Sequence, residues 1–159
     1  MFKENFRFVS KITLIHLLTY TACGITFSMI LKYQASLEVT EGFRDMNHIM
    51  VRLSPIFQLG RGILFGLVLL LIRNSFQGKK HDWLKLWFLI IVIGIFNTPA
   101  TAPFSIEEFI YYEPSNIAWN LQLGGLAEIL IQTLLFSFLS MRVIKHSSSK
   151  WGNWDYWLT

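Results

Sequence analysis

The stretch "PIFQLGRGILFGLVLLLIR", from Pro55 to Arg73, has the composition of a membrane-crossing helix with one cation inside it. Apart from Gln58 and Arg61, every residue from 55 to 72 is apolar or glycine. A helix needs about 20 mainly apolar residues to cross the hydrocarbon core of a bilayer, and about 17–25 are tolerated. The stretch therefore predicts a transmembrane helix, and the position of Arg61 within it needs an explanation.

Apolar residues form four long blocks along the rest of the chain as well. The 159 residues are 53% hydrophobic and 15% charged, whereas a soluble domain usually carries about 25% charged residues. We therefore predict an all-α integral membrane protein, with a single four-helix transmembrane domain over residues 1–159. The predicted spans are roughly 8–33, 55–73, 82–97 and 117–143, and the third is short for a crossing.

The chain has a net charge of +4, and its charged residues are distributed unevenly along the sequence. The connection between the third and fourth blocks contains Glu107, Glu108 and Glu113 and no Lys or Arg. The first connection is mixed in charge, with three basic and three acidic residues. Ten of the 14 Lys and Arg residues lie before the first block, around the second connection and after the fourth block: Lys3, Arg7, Lys11, Arg73, Lys79, Lys80, Lys85, Arg142, Lys145 and Lys150. By the positive-inside rule, both termini are expected in the cytoplasm. The expected surroundings are a lipid bilayer, and no nucleic-acid partner is expected.

Both outer connections contain further helical patterns. In the first, apolar residues fall on one helical face and predict an amphipathic helix on the outer surface: Phe43, Met46, Ile49, Met50 and Leu53. In the second, Pro99 and Pro103 end the third helix near Asn97, because proline cannot continue a helix. The stretch "SIEEFIYY" then predicts a short outer helix capped by Ser105. The length, the four spans and this proline-rich outer segment favour a bacterial inner (cytoplasmic) membrane.

Two ionisable residues lie inside predicted spans, Arg61 in the second and Glu128 in the fourth. Such a residue at mid-helix costs about 2.5–3.5 kcal/mol on insertion scales, so each needs a partner. Arg61 lies about 9 Å along its helix from Pro55, and Glu128 about 12 Å from Asn120, at 1.5 Å per residue. Since both helices enter from outside, similar depths predict an Arg61–Glu128 ion pair. Three polar residues are candidates to join it: Gln58, Gln132 and Asn97.

This polar core has three possible roles. As a structural element, the ion pair fixes how the second and fourth helices pack. As a binding site, it lies in a pocket that opens outward, where Arg61 meets an anionic ligand or a lipid headgroup. Alternatively, Arg61 extends its aliphatic stem so that the guanidinium reaches the outer headgroups.

Small residues predict where helices approach closely. Gly62 and Gly66 form a small-xxx-small pair in "GILFG", which favours packing against another helix, a second copy or a membrane-protein partner. Gly124 shares a helical face with Glu128 and Gln132, because the three are spaced four residues apart.

Motifs of known catalytic classes do not occur in the sequence. There is no H-E-x-x-H, no G-x-S-x-G and no glycine-rich phosphate loop, while one cysteine and four scattered histidines predict no metal site. We expect no catalytic residue and no cofactor. The leading hypothesis is a small polytopic membrane protein that acts as a binding or accessory (structural) subunit. The alternative is a small transporter or membrane-embedded enzyme with an outward-facing pocket for an anionic or lipid-like ligand.

Overall fold

The computed structural model describes residues 2–32, 48–76, 79–98, 102–106 and 119–148. Within these ranges the chain is helical and contains no strand, which confirms the all-α prediction for this part of the molecule. The helices are α1 (Phe2–Leu31), α2 (Ile49–Arg52), α3 (Ser54–Ile72), α4 (Asp82–Ile91) and α5 (Trp119–Ser148). A 3-10 turn, Arg73–Ser75, follows α3, and a π-helical segment, Val92–Phe96, continues α4.

Three of the described helices are long and apolar enough to cross a membrane, over Phe2–Leu31, Pro55–Ser75 and Gln122–His146. They correspond to the first, second and fourth predicted blocks. The third block forms α4, with 10 residues, and the π segment, with 5. At 1.5 Å per residue these rise about 22 Å, less than the roughly 30 Å of a hydrocarbon core.

Helix α1 packs antiparallel to α3 along one of its sides. The contacts between the two helices ascend one helix and descend the other: Val9 with Gly66, Thr13 with Gly62, and His16 with Gln58. Glycine at two of these three levels removes the side chain that would separate the helices. The close approach therefore follows directly from the "GILFG" sequence.

Helix α5 packs antiparallel to α1 on another side of α1. Helix α4 in turn packs against α5. His16 meets Phe136, Gly24 faces Glu128, and Leu31 packs on Gly124. Between α4 and α5, Trp83 meets Phe138 and Trp87 reaches Leu130 and Thr133, which again is an antiparallel pairing. Helices α3 and α5 consequently run parallel to each other, with α1 between them.

The buried apolar core lies at one end of this arrangement. It forms where the beginnings of α1 and α4 meet the ends of α3 and α5. Its members are Phe8, Ile12, Leu69, Phe76, Leu86, Phe136, Met141 and Ile144. Burial of large side chains from all four helices at this end fixes their mutual positions.

The outer connections are described only in part. Of the predicted amphipathic helix, the structure contains the four residues of α2, while Phe43 and Met46 lie outside the described residues. Residues 107–112 of the predicted short outer helix lie outside them as well. Both surface helices therefore stay predictions.

The described residues of the proline-rich segment form a tight turn. The Ser105 backbone N–H donates to the Ala102 carbonyl (2.9 Å), and the Ser105 hydroxyl oxygen accepts from the Ala102 N–H (3.1 Å). Phe104, between Pro103 and Ser105, has a φ of 65°, a left-handed conformation that is uncommon for an aromatic residue. Before the turn, the π segment ends at Phe96, in agreement with the expected end near Asn97.

Candidate intramembrane polar site

His16 lies where α1, α3 and α5 meet, among aromatic rings. Its ring centroid is 5.2 Å from that of Phe65 on α3 and 5.8 Å from that of Phe136 on α5. The two phenylalanine rings lie 5.0 Å apart. His16 is 3% exposed, so three helices enclose its imidazole within a predicted span.

The polar partner of His16 is Gln58 on α3. The His16 Nε2 atom lies 3.2 Å from Gln58 Oε1, and both side chains are buried. With the amide oxygen as acceptor, the imidazole donates from Nε2. An unsatisfied polar group inside a bilayer costs several kcal/mol, and this single bond satisfies one group from each helix. We refer to the two residues as the His16–Gln58 pair.

The other polar residues of the buried face of α1 bond within their own helix. Thr13 donates its hydroxyl to the Val9 carbonyl (2.9 Å), and Thr19 donates to the carbonyls of Ile15 (2.9 Å) and His16 (3.1 Å). Such bonds to the preceding turn are usual for threonine in helices. These hydroxyls therefore help α1 to pack without needing a ligand.

Arg61 lies on α3 one turn beyond Gln58, and its side chain is exposed. Among the described residues, Arg61 takes part in no ion pair. The exposed Arg61 side chain thus lies within an apolar helix and has no ion-pair partner in that part of the chain.

Glu128 lies on α5 against a different part of α1. Its Oε1 atom is 3.8 Å from the position that a Cβ on Gly24 would occupy, and its side chain is half-buried. Gln132, one turn further along α5, is also half-buried. Glycine at position 24 therefore leaves room for the carboxylate beside α1.

The expected ion pair between Arg61 and Glu128 does not form, because the two residues lie at different levels of the bundle. Gln58 and Phe136 both contact His16, so they share one level. Arg61 lies three residues beyond Gln58, whereas Glu128 lies eight residues before Phe136 on a parallel helix. At 1.5 Å per residue the two charges are about 16 Å apart along the bundle.

Asn97 is also distant from Arg61. It is exposed and follows the π segment, where its backbone N–H donates to the Val92 carbonyl (2.8 Å). It lies ten residues beyond Trp87, whose partners on α5 are Leu130 and Thr133. Five residues were predicted to share one polar core. In the structure Gln58 bonds to His16, while Arg61, Glu128, Gln132 and Asn97 lie at several different heights along the helix bundle.

The predicted packing glycines all lie against α1. A Cβ on Gly62 would lie 3.0 Å from Thr13 Cγ2 and 3.1 Å from its Cα, and one on Gly66 would lie 3.0 Å from the Val9 carbonyl oxygen. At Gly124 the nearest atom is Leu31 Cδ1, at 2.6 Å, the far end of a flexible side chain. The "GILFG" face is thus occupied within the chain, and any partner must use another surface.

Two polar residues of α4, Trp87 and Asp82, form further hydrogen bonds, and neither was predicted as part of the site. The Trp87 indole N–H donates to the Leu130 carbonyl and the Thr133 hydroxyl, both at 3.2 Å. Asp82 is fully buried and accepts from the Lys79 N–H and from Lys85 Nζ, both at 2.8 Å. The role of Asp82 could have been predicted from its position as the first residue of the third block, because a carboxylate at the start of a helix can accept from free N–H groups.

No group of three or more His, Cys, Asp or Glu residues suited to a metal ion occurs within the described ranges. Cys23 is a buried free cysteine on α1. Comparisons with protein-family models, with curated proteins and with solved structures find no match for this chain.

Proposed function

We propose that the chain is a small integral membrane protein without catalytic activity, which acts as an accessory subunit and binds a partner inside the bilayer through Arg61. The observation that carries this proposal is the exposed position of Arg61 within the apolar span of α3. An intramembrane charge is costly and is usually paired. An acidic or strongly polar group of a neighbouring membrane protein would supply the pairing from outside the bundle.

The distribution of the other polar groups supports a role for Arg61 outside the chain's own core. Glu128, the acid expected to neutralise it, lies about 16 Å away along the bundle by the helix rise. Gln58, one turn away, is bonded to His16. Gln58 is thus already hydrogen-bonded, and Arg61 itself is exposed.

The closed setting of the His16–Gln58 pair supports a structural role over chemistry for the buried site. Phe65 and Phe136 cover the imidazole, and both polar side chains are at most 8% exposed. A transporter or enzyme site needs access for its ligand. The cavity between α1 and α3 is lined by neither Arg61 nor Glu128.

For the topology, we propose four crossings with both termini in the cytoplasm of a bacterial inner membrane. The basic residues before α1, between α3 and α4 and after α5 support this orientation. The antiparallel packing of α4 on α5 supports a fourth crossing.

Mutation of Arg61 with native extraction tests the proposed function. The chain is expressed in its source membrane, extracted with lipids retained, and sized by native mass spectrometry as wild type, Arg61→Leu and Arg61→Lys. Arg52→Leu is the control, since Arg52 is also exposed but lies in α2, outside the span. Wild type and Arg52→Leu are expected to carry a protein partner in fixed stoichiometry, which Arg61→Leu loses.

Arg61→Lys distinguishes two kinds of recognition. Lysine keeps the charge but not the two-pronged geometry of the guanidinium, so partial retention of the partner indicates a charge contact. A wild-type chain that extracts without any protein partner contradicts the proposal. A thermal shift with a small anionic ligand that Arg61→Leu abolishes would instead support the transporter or enzyme alternative.

A further inference from the structure

An apolar groove runs along the outside of α1 and α3, separate from the Arg61 surface. Its cavity volume is about 600 Å³. On α1 it extends from Phe2 to Leu17, and on α3 from Leu59 to Leu70. The α1 stretch rises about 22 Å at 1.5 Å per residue, so the groove runs parallel to the helices.

The lining of the groove is mainly apolar. Nine of its twelve lining residues are apolar side chains. A long, mainly apolar groove that follows the helix axes suits an extended hydrocarbon chain.

One end of the groove is basic. Lys3 and Arg7 are exposed in the first two turns of α1, and in the described part of the chain neither forms an ion pair. Lys3, Phe6 and Ser10 are spaced three and four residues apart, so they share one face of α1. Because Phe6 and Ser10 line the groove, Lys3 lies at its mouth.

A polar atom inside the same end lacks a partner. Asn5 lines the groove, and its Oδ1 atom is buried without a hydrogen-bond partner in the structure. A buried acceptor left unsatisfied costs about 1–3 kcal/mol. A hydroxyl group of a bound molecule would supply the missing donor.

We propose that this groove binds one acyl chain of an anionic phospholipid with a hydroxyl-bearing headgroup. The chain lies along α1 and α3, the phosphate lies beside Lys3 and Arg7, and a headgroup hydroxyl donates to Asn5 Oδ1. The groove runs from a charged helix end into the apolar span, as a phospholipid runs from headgroup to tail. The site is independent of Arg61 and of any protein partner bound there.

Lipid retention after extraction tests this site. The chain is reconstituted in vesicles of equal parts phosphatidylglycerol and phosphatidylcholine, extracted gently, and its retained lipids are counted by native mass spectrometry. Ser10→Phe fills the groove from an exposed position, and Leu18→Phe places the same phenyl ring at an exposed α1 position outside it. Wild type and Leu18→Phe are expected to retain one phosphatidylglycerol, and Ser10→Phe none.

Charge variants test the headgroup contact. A basic side chain near an anionic lipid contributes about 1 kcal/mol, or about fivefold. Lys3→Gln is expected to lower the preference for phosphatidylglycerol over phosphatidylcholine about fivefold, while the exposed control Lys80→Gln leaves it unchanged. Circular dichroism confirms that each variant keeps its helices.

Two results would overturn this inference. The first is equal lipid retention by wild type and Ser10→Phe. The second is efficient disulfide cross-linking between two copies of Ser10→Cys, in a Cys23→Ala background, within the same vesicles. That outcome would assign the groove to contact with a second copy of the chain.

Discussion

The Nε2 atom of His16 lies 3.2 Å from Oε1 of Gln58, and this bond sets the level at which α1 and α3 meet. Phe65 and Phe136 cover the imidazole from two other sides. Sliding or rotating α1 against α3 would leave both polar groups in an apolar environment. The pair therefore specifies one register of the two helices, whereas apolar packing alone tolerates several.

Removing one member of the pair should cost more than removing both. His16→Leu or Gln58→Leu leaves a buried polar group unsatisfied, whereas the double variant leaves none. Interhelical hydrogen bonds in membranes contribute on average about 0.6 kcal/mol and at most about 1.7 kcal/mol, so a coupling of this size is expected. The free energy of unfolding in mixed detergent micelles measures it. As a control, His16→Leu is combined with Thr26→Val, which removes an exposed hydroxyl bonded within α1, and the two losses of unfolding free energy should add. If the losses of His16→Leu and Gln58→Leu also simply add, the pair has no structural role.

Glycines on α3 should differ sharply in their tolerance of a side chain. A Cβ at Gly66 would lie within 3.0 Å of the Val9 carbonyl oxygen, whereas one at Gly60 has no neighbour within 4 Å. Gly66→Val is therefore expected to destabilise the bundle by about 1–3 kcal/mol through overpacking. Gly60→Val should change stability little, because its side chain points outward. Equal melting temperatures of the two variants in the same detergent would contradict the observed packing of α1 on α3.

Arg61 and Glu128 should behave as independent sites. Mutations more than about 7–10 Å apart usually add within about 0.3–0.5 kcal/mol, and these residues lie about 16 Å apart along the bundle by the helix rise. Arg61→Ala and Glu128→Ala are expected to change thermal stability additively. The charge-swapped variant, Arg61→Glu with Glu128→Arg, should not recover the yield lost in the single variants. Recovery would show that the two side chains meet.

The helical class and three of the long apolar helices follow from the sequence because both depend on local properties. Run length and composition decide whether a helix can cross a bilayer, and the predicted spans over residues 8–33, 55–73 and 117–143 are long enough. The third block is short in the sequence, and α4 with its π segment is correspondingly short in the structure. The close contact of Gly66 with Val9 likewise follows from a small residue at helical spacing.

The pairing of polar residues could not be obtained in the same way. Depths counted from Pro55 and Asn120 assumed that α3 and α5 begin at one level, but Gly124 near the start of α5 meets Leu31, while Gln58 near the start of α3 meets His16. The offset arises from the separate packing of each helix on α1. His16 was visible as a polar residue in a span, yet its partner depends on the rotation of α3, which no local pattern determines.

Photo-crosslinking beside Arg61 tests the proposed partner contact most directly. Phe57 lies one turn before Arg61 and is 58% exposed, and Phe88 on α4 is 66% exposed. A photo-reactive phenylalanine analogue replaces each in turn and is irradiated in native membranes. A protein adduct is expected from position 57 and should disappear in Arg61→Leu, and no protein adduct is expected from position 88. Lipid adducts alone from position 57, or a protein adduct that persists in Arg61→Leu, would contradict the proposed partner contact.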